Sequence, residues 1–143
     1  MAKAIEQEIL IMRGLSPDGR WILAWARLAG GGTGVQAFPL DGGAPVVILG
    51  RGRVAWSPDG RSFSIIGGRN ALIPLGRSYL VPLAPGQALP KIPVDGFNSE
   101  EEVARLPGVR RIEEMGVAPS PSPDVYAFSR GATQRNLYRI PIP

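Results

Sequence analysis

The chain has 143 residues, no cysteine, no histidine and a formal net charge of +4. These counts exclude disulfides, thiolate metal ligands, histidine acid–base chemistry and the usual serine and cysteine triads. Gly (19) and Pro (15) make up nearly a quarter of the chain while 44% of it is apolar, which points to short strands and tight turns around a real core.

The start, Met1-Ala2-Lys3-Ala4-Ile5-Glu6-Gln7-Glu8, is too acidic and too short in apolar run for a signal peptide. No later stretch approaches the ~20 apolar residues that span a bilayer. The first predicted strand is Ile9–Met12. It leads into Ser16-Pro17-Asp18-Gly19, followed by Arg20. That tetrapeptide suits a type I turn: Ser bonds the backbone ahead, Pro fixes φ, and Gly is favoured fourth. The next strand, Trp21–Ala26, is apolar on both faces and so is expected to be covered on both sides.

The same tetrapeptide returns 41 residues later as Ser57-Pro58-Asp59-Gly60, again followed by Arg. That interval is the length of one four-stranded propeller blade. Val54–Trp56 and Phe63–Ile66 are the flanking strands. A decayed third copy is placed at Ser122-Pro123-Asp124, before a strand at Val125–Phe128. A second landmark, apolar-Pro-apolar, follows each copy at Phe38-Pro39-Leu40, Val81-Pro82-Leu83 and Ile140-Pro141-Ile142. The Ser-to-Pro distances are 23, 25 and 19 residues. Because proline cannot donate to a ladder, each triplet is expected near the end of a third strand or with the proline nitrogen facing away from a partner. Fourth strands are predicted at Val46–Leu49 and Leu89–Ile92.

The third copy starts 65 residues after the second, so about 24 residues are added. The addition contains Ser99-Glu100-Glu101-Glu102-Val103-Ala104-Arg105-Leu106, a capping box with an acidic first turn, stopped by Pro107. One or two helical turns on a solvated rim are expected. The resulting fold is all-β: about three propeller blades of four-stranded antiparallel sheet, with a short helix in an insertion. Blade one is placed at about 5–50, blade two at 51–93, the insertion at 94–114 and an incomplete blade three at 115–143. The last blade lacks an outer strand. Either this is the C-terminal portion of a longer propeller, the favoured reading, or copies self-associate to complete it.

Val54-Ala55-Trp56-Ser57-Pro58-Asp59-Gly60-Arg61 resembles the TolB-type, WD-like β-propeller repeat. The resemblance covers most of 9–143 outside the insertion. The ending Asn136–Pro143 is similar to the C-termini of free-standing and kinase-attached propellers. Copy three departs from the pattern in lacking Gly and Arg after Asp124. The resemblance implies a scaffold or sensor propeller. The alternative it implies is the regulatory propeller of a bacterial Ser/Thr kinase, or less readily of a prolyl-oligopeptidase-type peptidase, with the catalytic domain outside this chain.

The residues point to no catalytic, cofactor or metal site. Gly30-Gly31-Gly32-Thr33-Gly34 lacks the Gly-Lys-Ser/Thr of a phosphate loop and runs into a strand. There is no Gly-x-Ser-x-Gly elbow and no kinase signature. Asp18, Asp59 and Asp124 recur at one turn position, which points to a structural role rather than a pKa-split catalytic pair. Trp21, Trp25 and Trp56 are expected in blade-to-blade packing rather than in a stacking platform. The fourteen Arg are scattered rather than clustered, so nucleic acid is not the expected partner. A protein or peptide partner is expected at the loops joining second to third strands. Those loops carry Arg27, Thr33, Arg69, Asn70, Arg77, Arg130, Gln134 and Arg135. The compartment is left open.

Overall fold

In the computed structural model the described residues are 7–122 and 124–131. They form an all-β structure of three antiparallel sheets with one short helix. Sheet one contains β1 (Ile9–Leu15), β2 (Trp21–Arg27), β3 (Thr33–Pro39) and β4 (Val46–Leu49) in sequential order. Sheet two contains β5 (Arg53–Trp56), β6 (Ser62–Ile66), β7 (Ser78–Pro82) and β8 (Arg110–Ile112), again in order. Sheet three pairs β9 (Met115–Pro119) with β10 (Tyr126–Ser129).

Each predicted turn joins the first two strands of its sheet. In sheet one, Gly19 N–H donates to Ser16 O at 2.8 Å and Ser16 N–H to Trp21 O at 2.8 Å. Gly60 to Ser57 O and Ser57 to Ser62 O repeat this at 2.9 Å each. Pro39 and Pro82 end β3 and β7, as the triplet requires.

The third turn falls at Ser122, where Val125 N–H donates to Ser122 O at 3.1 Å as Gly19 and Gly60 donate to Ser16 and Ser57. The outer bond counts from Ser120 instead: Ser120 N–H donates to Val125 O at 3.3 Å, as Ser16 and Ser57 donate to residues five further on. The register agrees, since Tyr126 opposes Pro119 as Phe63 opposes Trp56. Ser122 therefore stands where Asp18 and Asp59 stand, and Asp124 where Arg20 and Arg61 stand. The Ser-Pro-Ser-Pro run offers two alignments: strand pairing follows the earlier one and the turn bond to Ser122 the later.

The fourth strand of sheet two is also corrected. Residues 89–92 form no strand; Pro90 has no N–H to donate, and β8 takes the place beside β7. The inserted segment thus lies within sheet two, between its third and fourth strands, rather than between repeats. Nor is it a solvated rim. Phe97 N–H donates to Ile48 O at 2.8 Å, and Phe97 bridges to Leu49 on the outer edge of sheet one. Gly96 makes this approach with φ +81°; a Cβ there would lie 2.9 Å from Ile48 O. The helix α1 (Glu100–Ala104) buries Val103 completely. Ser99 caps it as predicted, Glu102 N–H donating to Ser99 Oγ at 3.3 Å, but the Glu102 carboxylate accepts from Asn98 N–H at 2.7 Å, one residue before the Ser99 amide that a capping box uses.

The main core lies between sheets one and two. Leu23, Val35 and Ala37 of sheet one meet Phe63, Ile65 and Val81 of sheet two. Trp21, Trp25 and Trp56 pack half-buried against it, as expected of packing aromatics. The other side of β2 is also covered, with Ala24, Ala26 and Phe38 buried. A smaller core joins Leu80 and Ile112 of sheet two to Val117 and Tyr126.

Candidate functional site

Two ends of the sheets differ in what their side chains are free to do. At the end carrying the Ser-Pro turns, polar groups are spent on the turns themselves. Ser57 Oγ donates to Asp59 Oδ1 at 2.6 Å and accepts from Ser62 N–H at 2.9 Å; Asp59 also accepts from Arg61 N–H at 3.1 Å. Ser16, Asp18, Arg20 and Trp21 repeat the arrangement. The serine hydroxyl bonds, and then the backbone amides of Arg20 and Arg61, hold both carboxyls below the ordinary aspartate value.

A pH dependence follows. A carboxyl with a lowered folded pKa contributes stability that is present above its unfolded value and is lost as pH falls through the folded value. Urea midpoints are expected to hold near neutrality and to drop below about pH 4. Asp59→Asn should flatten that drop. An unchanged slope in Asp59→Asn would separate Asp59 from the acid transition.

Clefts of about 310 Å³, between Asp18 and Trp56–Asp59, and about 160 Å³, between Asp59–Arg61 and Ser120–Val125, lie at this end. Their carboxylates are the turn-bound ones, or Asp124, which meets Arg110 at 3.5 Å. Trp56 is not offered as a platform: its ring meets Phe63 edge-on at 5.8 Å, and its Nε1–H donates to Ala88 O at 2.5 Å. Among the described residues no three acids gather into a metal-binding group.

At the opposite end stand the connections 28–32, 50–52, 67–77 and 113–114, and with them most of the sequence-predicted interaction residues. Several cations here are already neutralised. Arg27 pairs with Glu8 at 2.6 Å, both well exposed. Arg77 makes a forked contact with Glu100 at 2.8 and 3.0 Å and reaches Glu113 at 3.4 Å. Tyr79 Oη donates to Glu100 at 2.7 Å, and Arg111 holds Glu113 at 2.6 Å. Burial alone would raise the Glu100 carboxyl, but the bonds from Arg77 and Tyr79 and the charges of Arg77 and Arg111 outweigh it and hold it low. This network fastens α1 to sheet two, so Arg77 is a structural tie rather than a free contact. Arg130 is likewise engaged, ion-paired with Glu114 and stacked 5.0 Å over Phe128. Gln134 and Arg135 lie outside the described residues.

Arg69 and Asn70 remain exposed in the β6–β7 loop, with Asn70 at φ +55°. Thr33, half-buried, opens β3 opposite Arg27. The structure adds Arg51 and Arg53, exposed and not singled out in the sequence. Their connection is fastened to the same loop, because Leu72 N–H donates to Arg51 O at 3.1 Å. Among the described residues Arg51, Arg53 and Arg69 form no salt bridge. The alternation Gly50-Arg51-Gly52-Arg53 was the available signal: small residues beside cations keep guanidinium groups clear of local cover.

Comparisons with protein-family models, with curated proteins and with solved structures returned no match.

Proposed function

We propose that this chain is a non-catalytic protein-interaction module made of successive TolB-like propeller blades, and that Arg51, Arg53, Arg69 and Asn70 receive an acidic segment of a partner protein. The repeated strand–turn–strand units, each sheet packed face-on against the next, support the blade reading. One observation carries the functional reading. At an end where Arg27, Arg77, Arg111 and Arg130 each have an acidic partner, Arg51 and Arg69 on two mutually bonded connections, and Arg53 at the start of β5, have none among the described residues. Opposite charge on a partner would both steer encounter and fix register.

The test is fluorescence anisotropy with a labelled Glu-rich peptide and its Gln-substituted counterpart. The Glu peptide should bind more tightly, and binding should weaken with added salt. Reversing Arg51, Arg53 and Arg69 to Glu should weaken it by about tenfold or more, as three exposed contacts of roughly 0.5 kcal/mol each would. Reversing Arg13, Arg20 and Arg105, an equal charge change elsewhere, should do much less. Equal losses in the two triple variants would reduce the effect to net charge and overturn the site.

A further inference from the structure

The two clefts at the turn end are built alike and filled differently. Each lies between successive turns and has the third-position aspartate of both on its walls: Asp18 and Asp59 in the larger, Asp59 and Asp124 in the smaller. Asp124 holds that position when the third turn is counted from its bond to Ser122. The smaller cleft is also lined by Arg110 of β8, which meets Asp124 at 3.5 Å. There the chain sets a guanidinium of its own beside the pair of carboxylates. The larger cleft, of about 310 Å³ against about 160 Å³, has the same pair but no Lys or Arg among the described residues that line it.

The carboxylates of the larger cleft are fixed in place and stay charged. Each spends Oδ1 on its own turn. Asp18 accepts from Ser16 Oγ–H and from Arg20 N–H at 3.0 Å, and Asp59 from Ser57 Oγ–H at 2.6 Å and Arg61 N–H at 3.1 Å. These bonds keep both groups ionised at neutral pH. The two turns also touch, since a Cβ added to Gly60 would stand 3.5 Å from Pro17 Cβ. The second oxygens are left over. Asp18 Oδ2 meets no donor among the described residues, and Asp59 Oδ2 is reached by Arg61 Nε at 3.9 Å, on a mostly exposed side chain that does not line this cleft. Two fixed like charges beside one cleft repel, and a cation between them relieves the repulsion. A planar guanidinium has five N–H donors and can serve both carboxylates at once, which a compact ammonium does less well. Pro17 and Trp56 line the cleft with apolar surface for the methylene stem behind it.

We propose that the larger cleft receives an arginine side chain of a partner protein, its guanidinium held between Asp18 and Asp59. This contact lies at the opposite end of the sheets from Arg51, Arg53 and Arg69 and takes the opposite charge, so either site can fail without the other.

Proton–nitrogen correlation spectra of the full chain test it, titrated with a blocked Gly-Arg-Gly peptide and its citrulline and Lys counterparts. The Arg peptide should shift the Trp56 indole N–H and the Arg20 and Arg61 amides to saturation. Citrulline, of nearly the same shape and uncharged, should leave them in place, and Lys should bind more weakly. Asp18→Asn keeps an Oδ1 acceptor for the turn and should weaken Arg-peptide binding about three- to fivefold. Gln87→Arg, at an exposed position lining the cleft, supplies a chain guanidinium as Arg110 does in the smaller one, and should block the peptide with both aspartates intact. No shift with the Arg peptide, equal shifts with citrulline, equal affinity for Lys, or shifts confined to residues outside 16–20 and 56–61 would overturn the proposal. So would full affinity in Asp18→Asn or in Gln87→Arg when the variant melts as the parent chain does.

Discussion

Replacing Phe63 with Ala should destabilise the chain by about 3–5 kcal/mol, a large part of the total for a domain of this size. Phe63 is fully buried on β6, a central strand of sheet two. Its ring lies edge-on to Trp56 at 74°, an arrangement that adds roughly 0.5–1.5 kcal/mol beyond area burial. The core it occupies is shared with sheet one. The resulting void therefore loosens the junction between two sheets and not one sheet alone. Urea unfolding followed by tryptophan fluorescence should show one transition moved to lower urea with an unchanged slope. Two separated transitions would mean the sheets do not melt as a unit. Phe128, 42% exposed on sheet three, supplies the contrast: its replacement by Ala should cost under about 1 kcal/mol.

The parts of this fold that were legible in the sequence are those that local chemistry determines. Ser16-Pro17-Asp18-Gly19 and Ser57-Pro58-Asp59-Gly60 specify their turns through bonds within five residues, and Pro39 and Pro82 mark strand ends because they lack a donor. Illegible were the features fixed by distant partners. β8 is a three-residue strand with one buried side chain, Ile112, so its pattern is weaker than that of 89–92, which has Leu89 and Ile92 at its ends and forms no strand. In the third copy the turn bond falls at Ser122, where the motif stands, but the strand register counts from Ser120, a split the sequence hides because Ser-Pro occurs twice in succession. Counting from Ser120 brings the distance to Pro141 to 21 residues, nearer the 23 and 25 of the other copies. At the loop end the sequence identified Arg69 and Asn70 but could not separate them from Arg77. That separation depends on Glu100, 23 residues away.

Gly67→Ala is expected to have the largest effect of any single added methyl group. Gly67 opens the β6–β7 loop, and its N–H donates to Arg77 O at 2.9 Å. A Cβ at this position would lie 2.0 Å from Pro74 O and 2.4 Å from Arg77 O. Both obstacles are backbone, so no rotamer change relieves them, and the loop must move outward by an ångström or more. Overpacking of this kind costs about 1–3 kcal/mol and sometimes more. Lifting the loop also withdraws Ile73, 1% exposed, from the core, adding roughly 1.5–3 kcal/mol. The strands of sheet two need not part, because the clash lies beyond the β6–β7 register. Hydrogen exchange should therefore show protection lost within 67–77 and largely kept at 62–66 and 78–82. The same variant should bind the Glu-rich peptide more weakly, since Arg69 is carried on the displaced loop while every Arg is retained. Weakened stability with unaltered peptide affinity would place the acidic partner elsewhere. Weakened affinity with all Arg present would tie recognition to where this loop holds its charge.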